Sequence, residues 1–156
     1  MSYIIDGYNL LRYAQQHDDY EALEDASLCH VLNLFLKRVN ERAQIVFDGI
    51  GPPDKSGLRS RGNIEVYFSG RGIEADDIIE GKVMASTDPA NLVIISSDRQ
   101  IRTVARQRKA TAITSDVFWM ILCHELDKKK GKPEPREKRQ GINNSETDQW
   151  LDEFGL

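Results

Sequence analysis

The sequence predicts an α/β protein: a three-layer sandwich whose central, mostly parallel five-stranded sheet carries helices on both faces. Two observations support this. Five short runs rich in β-branched or aromatic residues alternate with helical apolar patterns, the chain order of βαβ units. The strand candidates are also almost wholly apolar, as strands covered on both faces should be. Length agrees, because 156 residues fit one domain of ordinary size, able to bury a core without disulfides or structural zinc.

The elements follow in order. Tyr3–Ile5 is the first strand. Across Tyr20–Arg42, Leu28, Val31, Leu32, Phe35, Leu36 and Val39 recur at i, i+3, i+4, i+7 spacing and predict a long amphipathic helix. Gln44–Phe47 is the second strand. The stretch 48–62, DGIGPPDKSGLRSRG, is rich in Gly, Pro and basic residues and is expected to be a mobile loop when nothing is bound. Ile64–Phe68 is the third strand, and 75–86 is a helix with Ile78, Ile79 and Val83 in register. Leu92–Ser96 is the fourth strand, 99–107 a helix with Ile101, Val104 and Ala105, and Thr111–Ile113 the fifth strand. Ser115–Leu126 closes the fold as a helix opened by Ser115 or Asp116. The folded domain is expected over 1–127. Residues 128–156 lose apolar content and read as a basic, flexible tail, with a short helix at Ser145–Phe154 presenting Trp150, Leu151 and Phe154.

Composition narrows the class. The 40 % hydrophobic and 29 % charged fractions are those of a soluble globular protein. No stretch approaches the roughly 18 apolar residues of a membrane helix. The opening MSYIIDGYNLL has no basic segment before its apolar residues, so no signal peptide is expected. Two cysteines far apart read as free thiols in a reducing compartment, with the cytoplasm as default. Each is followed by a histidine, but neighbours on a helix point about 100° apart and chelate one ion poorly. A net charge of −4 argues against nucleic-acid binding by charge alone. Its distribution argues otherwise: 99–109 holds five basic residues and no acid, and 128–139 holds seven against two glutamates. Such segments can form a local phosphate-binding surface.

The acids are placed as tellingly. In an open parallel sheet, ligands collect outside the carboxyl ends of the strands. The first strand runs into Asp6 (IIDGYN), the second into Asp48 (VFDG) and the fourth into Asp98 (ISSD), while Glu74, Asp76 and Asp77 stand where the chain after the third strand enters its helix. Singly, each has an ordinary explanation as a turn residue, a helix cap or a partner of the helix dipole. Together they converge on one rim, where crowding would raise their pKa values unless a cation relieved it. Oxygen-only ligands select Mg²⁺ or Mn²⁺ over zinc.

Such a centre suits phosphodiester hydrolysis by metal-activated water. Asp6, Asp76 and Asp98 are the expected catalytic metal ligands, with Asp48, Glu74 and Asp77 on a second ion or acting through water. Asn9 is expected to bind a phosphate or orient Asp6. Arg99 and Arg102 would steady the substrate backbone, Lys55, Arg59 and Arg61 would close from the loop, and Tyr8 would stack on a base.

These motifs, "IIDGYNLL", "VFDG", "GIEADDIIE" and "VIISSDRQIRTVA", resemble the four acidic motifs of the PIN-like nucleases, and most closely the NYN-domain proteins of YacP type. The resemblance spans about residues 2–125. It implies a PIN-like fold and a metal-dependent endoribonuclease of RNA turnover, acting on mRNA and in some members tied to the ribosome. By motif, Asp6, Asp76 and Asp98 match the family's acidic core and Asn9 the asparagine of its first motif. "VFDGIGPPDKSG" and "EADD" are also similar to flap endonucleases and the 5′-nuclease domains of bacterial DNA polymerases. Those proteins add helical DNA-binding modules after the last acidic strand, and the segment that follows here is too short and polar for one, which favours RNA. A non-catalytic RNA- or ribosome-binding domain is the alternative. A phosphoryl enzyme with Asp6 as nucleophile lacks the Asp-x-Asp pairing it would need.

Overall fold

A computed structural model describes residues 1–17 and 20–130. Strand β1 (Ser2–Asp6) leads directly into helix α1 (Gly7–Gln15), followed by α2 (Asp25–Val39), β2 (Arg42–Phe47) and β3 (Ile64–Phe68). Helix α3 (Ala75–Ala85), β4 (Leu92–Ile95), α4 (Arg99–Gln107), β5 (Thr111–Ile113) and α5 (Ser115–Lys130) complete the order. The five strands form one sheet of order β3-β2-β1-β4-β5, and every pairing is parallel.

Two cores explain the three layers. Tyr3 and Ile5 face α1, α2 and α5, packing with Leu10, Phe35 and Phe118. Ile4 points the other way, to Ile79 and Val83 of α3 and Ile101 of α4. Side chains alternate across a strand, so a strand buried on both faces has no polar positions to spare, and β4 is buried throughout.

Chain order places the crevice. From β1 the chain moves outward to β2 and β3, crosses back over the sheet through α3, and continues outward from β4 to β5. The direction reverses between β1 and β4, and in open parallel sheets the ligand crevice lies outside the carboxyl ends at that reversal. Ile5 pairs with Ile95, which brings Asp6 level with Ser96 there.

The strands lie where the sequence predicts them, within a residue or two. The helices differ more. Helix α1 has no counterpart among the predicted elements, because it leaves a strand at a glycine with no capping side chain and is nine residues long, too short for its period to show. Helix α2 is shorter than the Tyr20–Arg42 pattern. It stops at Asn40, in the left-handed conformation (φ 57°), and Arg42 already belongs to β2. Helix α5 runs past Leu126 to Lys130. The expected Ser145–Phe154 helix lies outside the described residues.

Residues 48–63 are not a free loop. Parallel neighbours need a crossover of a dozen or more residues, and this segment is that crossover, returning from the carboxyl end of β2 to the amino end of β3 without a helix. It is pinned by Leu58, 4 % exposed, by Gly57 against Ala26, and by the Ser60 hydroxyl accepting from Val66 N at 2.8 Å. Asn63 fastens its far end, its side-chain amide donating to Glu41 O at 2.8 Å. No helix among the described residues is long and apolar enough to cross a membrane.

Candidate active site

Asp6 ends β1, partly buried, and its Oδ2 accepts from Ser96 Oγ at 2.9 Å. Ser96 is fully buried, and its hydroxyl oxygen accepts in turn from Asp98 N at 3.0 Å. One small side chain thus joins the end of β1 to the turn after β4. Asp98 caps α4, with Oδ1 accepting from Gln100 N at 2.9 Å and Ile101 N at 3.1 Å. Asp76 stands half-buried in the first turn of α3.

The Asp6 carboxyl is pushed up to about 6, chiefly by burial. The Ser96 hydrogen bond opposes this, the charges of Asp76 and Asp98 add to it, and Arg12 weakly offsets them. The charges of Asp76 and Asp98, from two other segments, therefore reach Asp6 at the switch point. None of the three has an ion-pair partner among the described residues.

Asn9 is tied into the same frame. Its Oδ1 accepts from Ser97 N at 3.0 Å and from the Ser115 hydroxyl at 2.5 Å, and Ser115 N donates to Ser97 Oγ at 3.1 Å. These bonds lock α1 to the start of α5 and the turn after β4. Arg12 lies one turn beyond Asn9 on the same side of α1. Gly7 is needed at the strand–helix junction, since a Cβ there would sit 2.5 Å from the Phe47 ring.

Of the other predicted residues, Asp48 and Glu74 stay on this edge at the start of α3, while the rest disperse. Asp48 Oδ1 accepts from Ala75 N at 2.9 Å, capping α3 in place of Glu74, whose own side chain makes no cap. Glu74 and Asp48 line a separate hollow beside α3. Asp77 is exposed, and as the helical neighbour of Asp76 it points about 100° away. Lys55 folds back on its own loop, donating to Pro52 O at 2.8 Å with its ammonium 5.3 Å from the Phe68 ring centre. Arg59 is exposed near Asp54, and Arg61 pairs its backbone with Ile64 at the start of β3. Arg61 therefore lies toward the amino edge of the sheet, away from Asp6. Arg99 and Arg102 occupy the first turns of α4, directly after Asp98. Arg99 is exposed, while the buried Nε of Arg102 has no hydrogen-bond partner among the described residues. Tyr8 packs on Phe47 with ring centres 4.8 Å apart; burial raises its hydroxyl pKa, as does its hydrogen bond to Asp25. It serves the core margin rather than offering an open stacking face.

Among the described residues, no three His, Cys, Asp or Glu side chains gather closely enough to enclose an ion by themselves. Mg²⁺ asks for less, because it commonly binds through one or two carboxylates and keeps several waters. Hard oxygen donors with unpaired charge fit it chemically.

The sequence does not single out Ser96, Ser97, Ser115 or Arg12 as site residues, although Ser96 and Ser115 appear in it as element boundaries. Their signals are visible afterwards: two serines interrupting an apolar strand just before an acid, and an arginine three residues after Asn9.

The family model of the YacP-like NYN domain matches residues 3–154. The chain belongs to this family. The YacP-like domain also resembles the crystal structure of Rae1 (YacP) from Bacillus subtilis, with a TM-score of 0.67 at 16 % identity over 99 % of this chain and 88 % of that one. A single-substitution mutant of the same protein gives a TM-score of 0.61 at 18 % identity, covering 81 % and 77 %. At these identities the likeness establishes a shared fold. A search among curated proteins returns no significant match. Membership makes this a nuclease-type domain.

Proposed function

We propose that this YacP-like domain is a metal-dependent endoribonuclease, with the nuclease unit in residues 1–127 and an accessory basic tail in 128–156. The observation that carries the reading is the Ser96 bridge that ties Asp6 to the Asp98 turn at the switch point of the sheet, within reach of the Asp76 charge. Asp6, Asp76 and Asp98 would hold Mg²⁺ or Mn²⁺. Attack of water on a phosphodiester is the chemistry such an ion supplies. Ser96 orients Asp6 and the Asp98 turn together, and Asn9 keeps the rim in register. Arg12, Arg99 and Arg102 supply positive charge beside the acids, where an RNA backbone needs it. The substrate is RNA, mRNA in particular, free or on the ribosome, in the cytoplasm; the family resemblance supports RNA over a DNA flap.

Labelled RNA incubated with Mn²⁺, with and without EDTA, tests this. The expected result is internal cuts that need metal and disappear in Asp6→Asn and Asp98→Asn. Full activity in either variant would remove the assignment. Intact RNA shifted in a gel at saturating metal would make the domain a binder.

A further inference from the structure

A second hollow lies on the same edge of the sheet, on the far side of the first turn of α3. It is a shallow, open hollow of about 420 Å³ between Asp48–Ile50, after β2, and Gly70–Glu74, after β3. Its two turns are fastened together. Gly49 N donates to Ser69 Oγ at 2.8 Å, the Ser69 hydroxyl donates to Ile73 O at 2.6 Å, and Gly70 N donates to Gly49 O at 2.9 Å. Ser69 itself is only 7 % exposed. The hollow is therefore built into the fold rather than left between loose loops.

Its lining is unusual for a surface. Ile50 and Ile73 stand 52 % and 48 % exposed, one on each turn. Between them lie Gly49, Gly70 and Gly72, all at positive φ, with open space where a Cβ would be. Asp48 keeps one carboxylate oxygen unbonded, the Glu74 carboxylate makes no hydrogen bond among the described residues, and Arg71 adds a guanidinium at the rim.

Two apolar walls, two acceptor carboxylates and one cation together restrict the ligand. Two carboxylates repel a bare phosphate, and a purely apolar ligand would strand them without donors. A nucleobase satisfies all three features, with flat apolar faces for the isoleucines, an edge of N–H donors for the carboxylates, and an adjoining phosphate for Arg71. We infer that this hollow is a base-reading subsite for single-stranded RNA, next to the cleavage site and selective for bases bearing an exocyclic amino group over uracil. Proteins read such bases in single strands by their hydrogen-bonding edges, and Asp and Glu accept from base amino groups. The inference rests on the proposed RNA substrate but not on turnover.

Equilibrium binding separates the two. Short fluorescent single-stranded RNAs, each with one guanine, adenine, cytosine or uracil in an abasic background, are titrated with full-length protein in EDTA. The expected result is wild-type affinity for the amino-bearing bases about 5-fold or more above that for uracil, the lower end of what one good base contact discriminates. Glu74→Ala, which removes one of the two acceptors, should cut that ratio at least twofold, and Ile73→Ser should weaken binding of every base-bearing RNA several-fold. Equal wild-type affinity for all four bases, or a ratio unchanged by Glu74→Ala, would overturn the subsite. Base-selective binding without metal-dependent cleavage would instead overturn the nuclease and leave the subsite standing.

Discussion

Ser96 does at the residue scale what no acid does alone, because it donates to Asp6 and accepts from the backbone of Asp98. Ser96→Ala leaves Asp98 N without its acceptor and removes the one side-chain hydrogen bond that Asp6 accepts among the described residues. We expect about 1–3 kcal/mol of lost stability in denaturant unfolding, and a further rise of the Asp6 pKa in a carboxyl NMR titration. The sign for Asp6 itself follows from burial. Its folded pKa of about 6 exceeds the ordinary 3.8, so in metal-free protein its contribution favours folding at low pH and is lost as pH rises through about 6. Asp6→Asn should therefore raise metal-free stability at pH 7, by roughly 1–3 kcal/mol for a shift of this size, with no gain at pH 4. A melting series across that range checks both halves. Asp6, Asp76 and Asp98 were legible because each interrupts or follows an apolar run. Ser96 was not, since its role exists only once β4 lies beside β1, and strand adjacency is not written in either segment.

The crossover 48–63 shows the same limit among elements. Its Gly, Pro and basic content reads as a loop that could close on substrate and bring Lys55, Arg59 and Arg61 to the candidate site, where the structure does not put them. What decides its course is the need to return from one end of the sheet to the other, and that distance depends on β2 and β3 being parallel neighbours. Leu58, one apolar residue in a polar stretch, was the available signal. Leu58→Ala should cost about 2–5 kcal/mol, as buried leucine truncations do, and should expose the crossover to limited proteolysis ahead of the rest of the domain. Arg61→Ala, by contrast, should leave cleavage within about twofold, whereas Arg102→Ala, beside the acids, should weaken RNA binding and its salt dependence.

At the scale of the molecule, the carboxyl edge concentrates negative charge that folding alone does not reward. The divalent ion proposed for this edge would convert that cost into stability by mass action. Mn²⁺ at 100 times its dissociation constant should stabilise the wild type by about 2.7 kcal/mol. The Asp6→Asn/Asp98→Asn double variant should melt at the same temperature with and without it. The α/β class was readable from alternation alone, and the family from four motifs. Which strand sits in the middle was not, because interior strands all look alike when both faces are covered.

That middle strand is β1, the first to be synthesised, and it is flanked by β2 and β4. Nascent protein leaving the ribosome can pair its opening strand on one side once residue 47 has emerged, but the other neighbour arrives only with Leu92–Ile95. The Asp6–Ser96–Asp98 arrangement therefore cannot assemble on a half-made domain: β1 stays paired along one edge alone until β4 has left the ribosome.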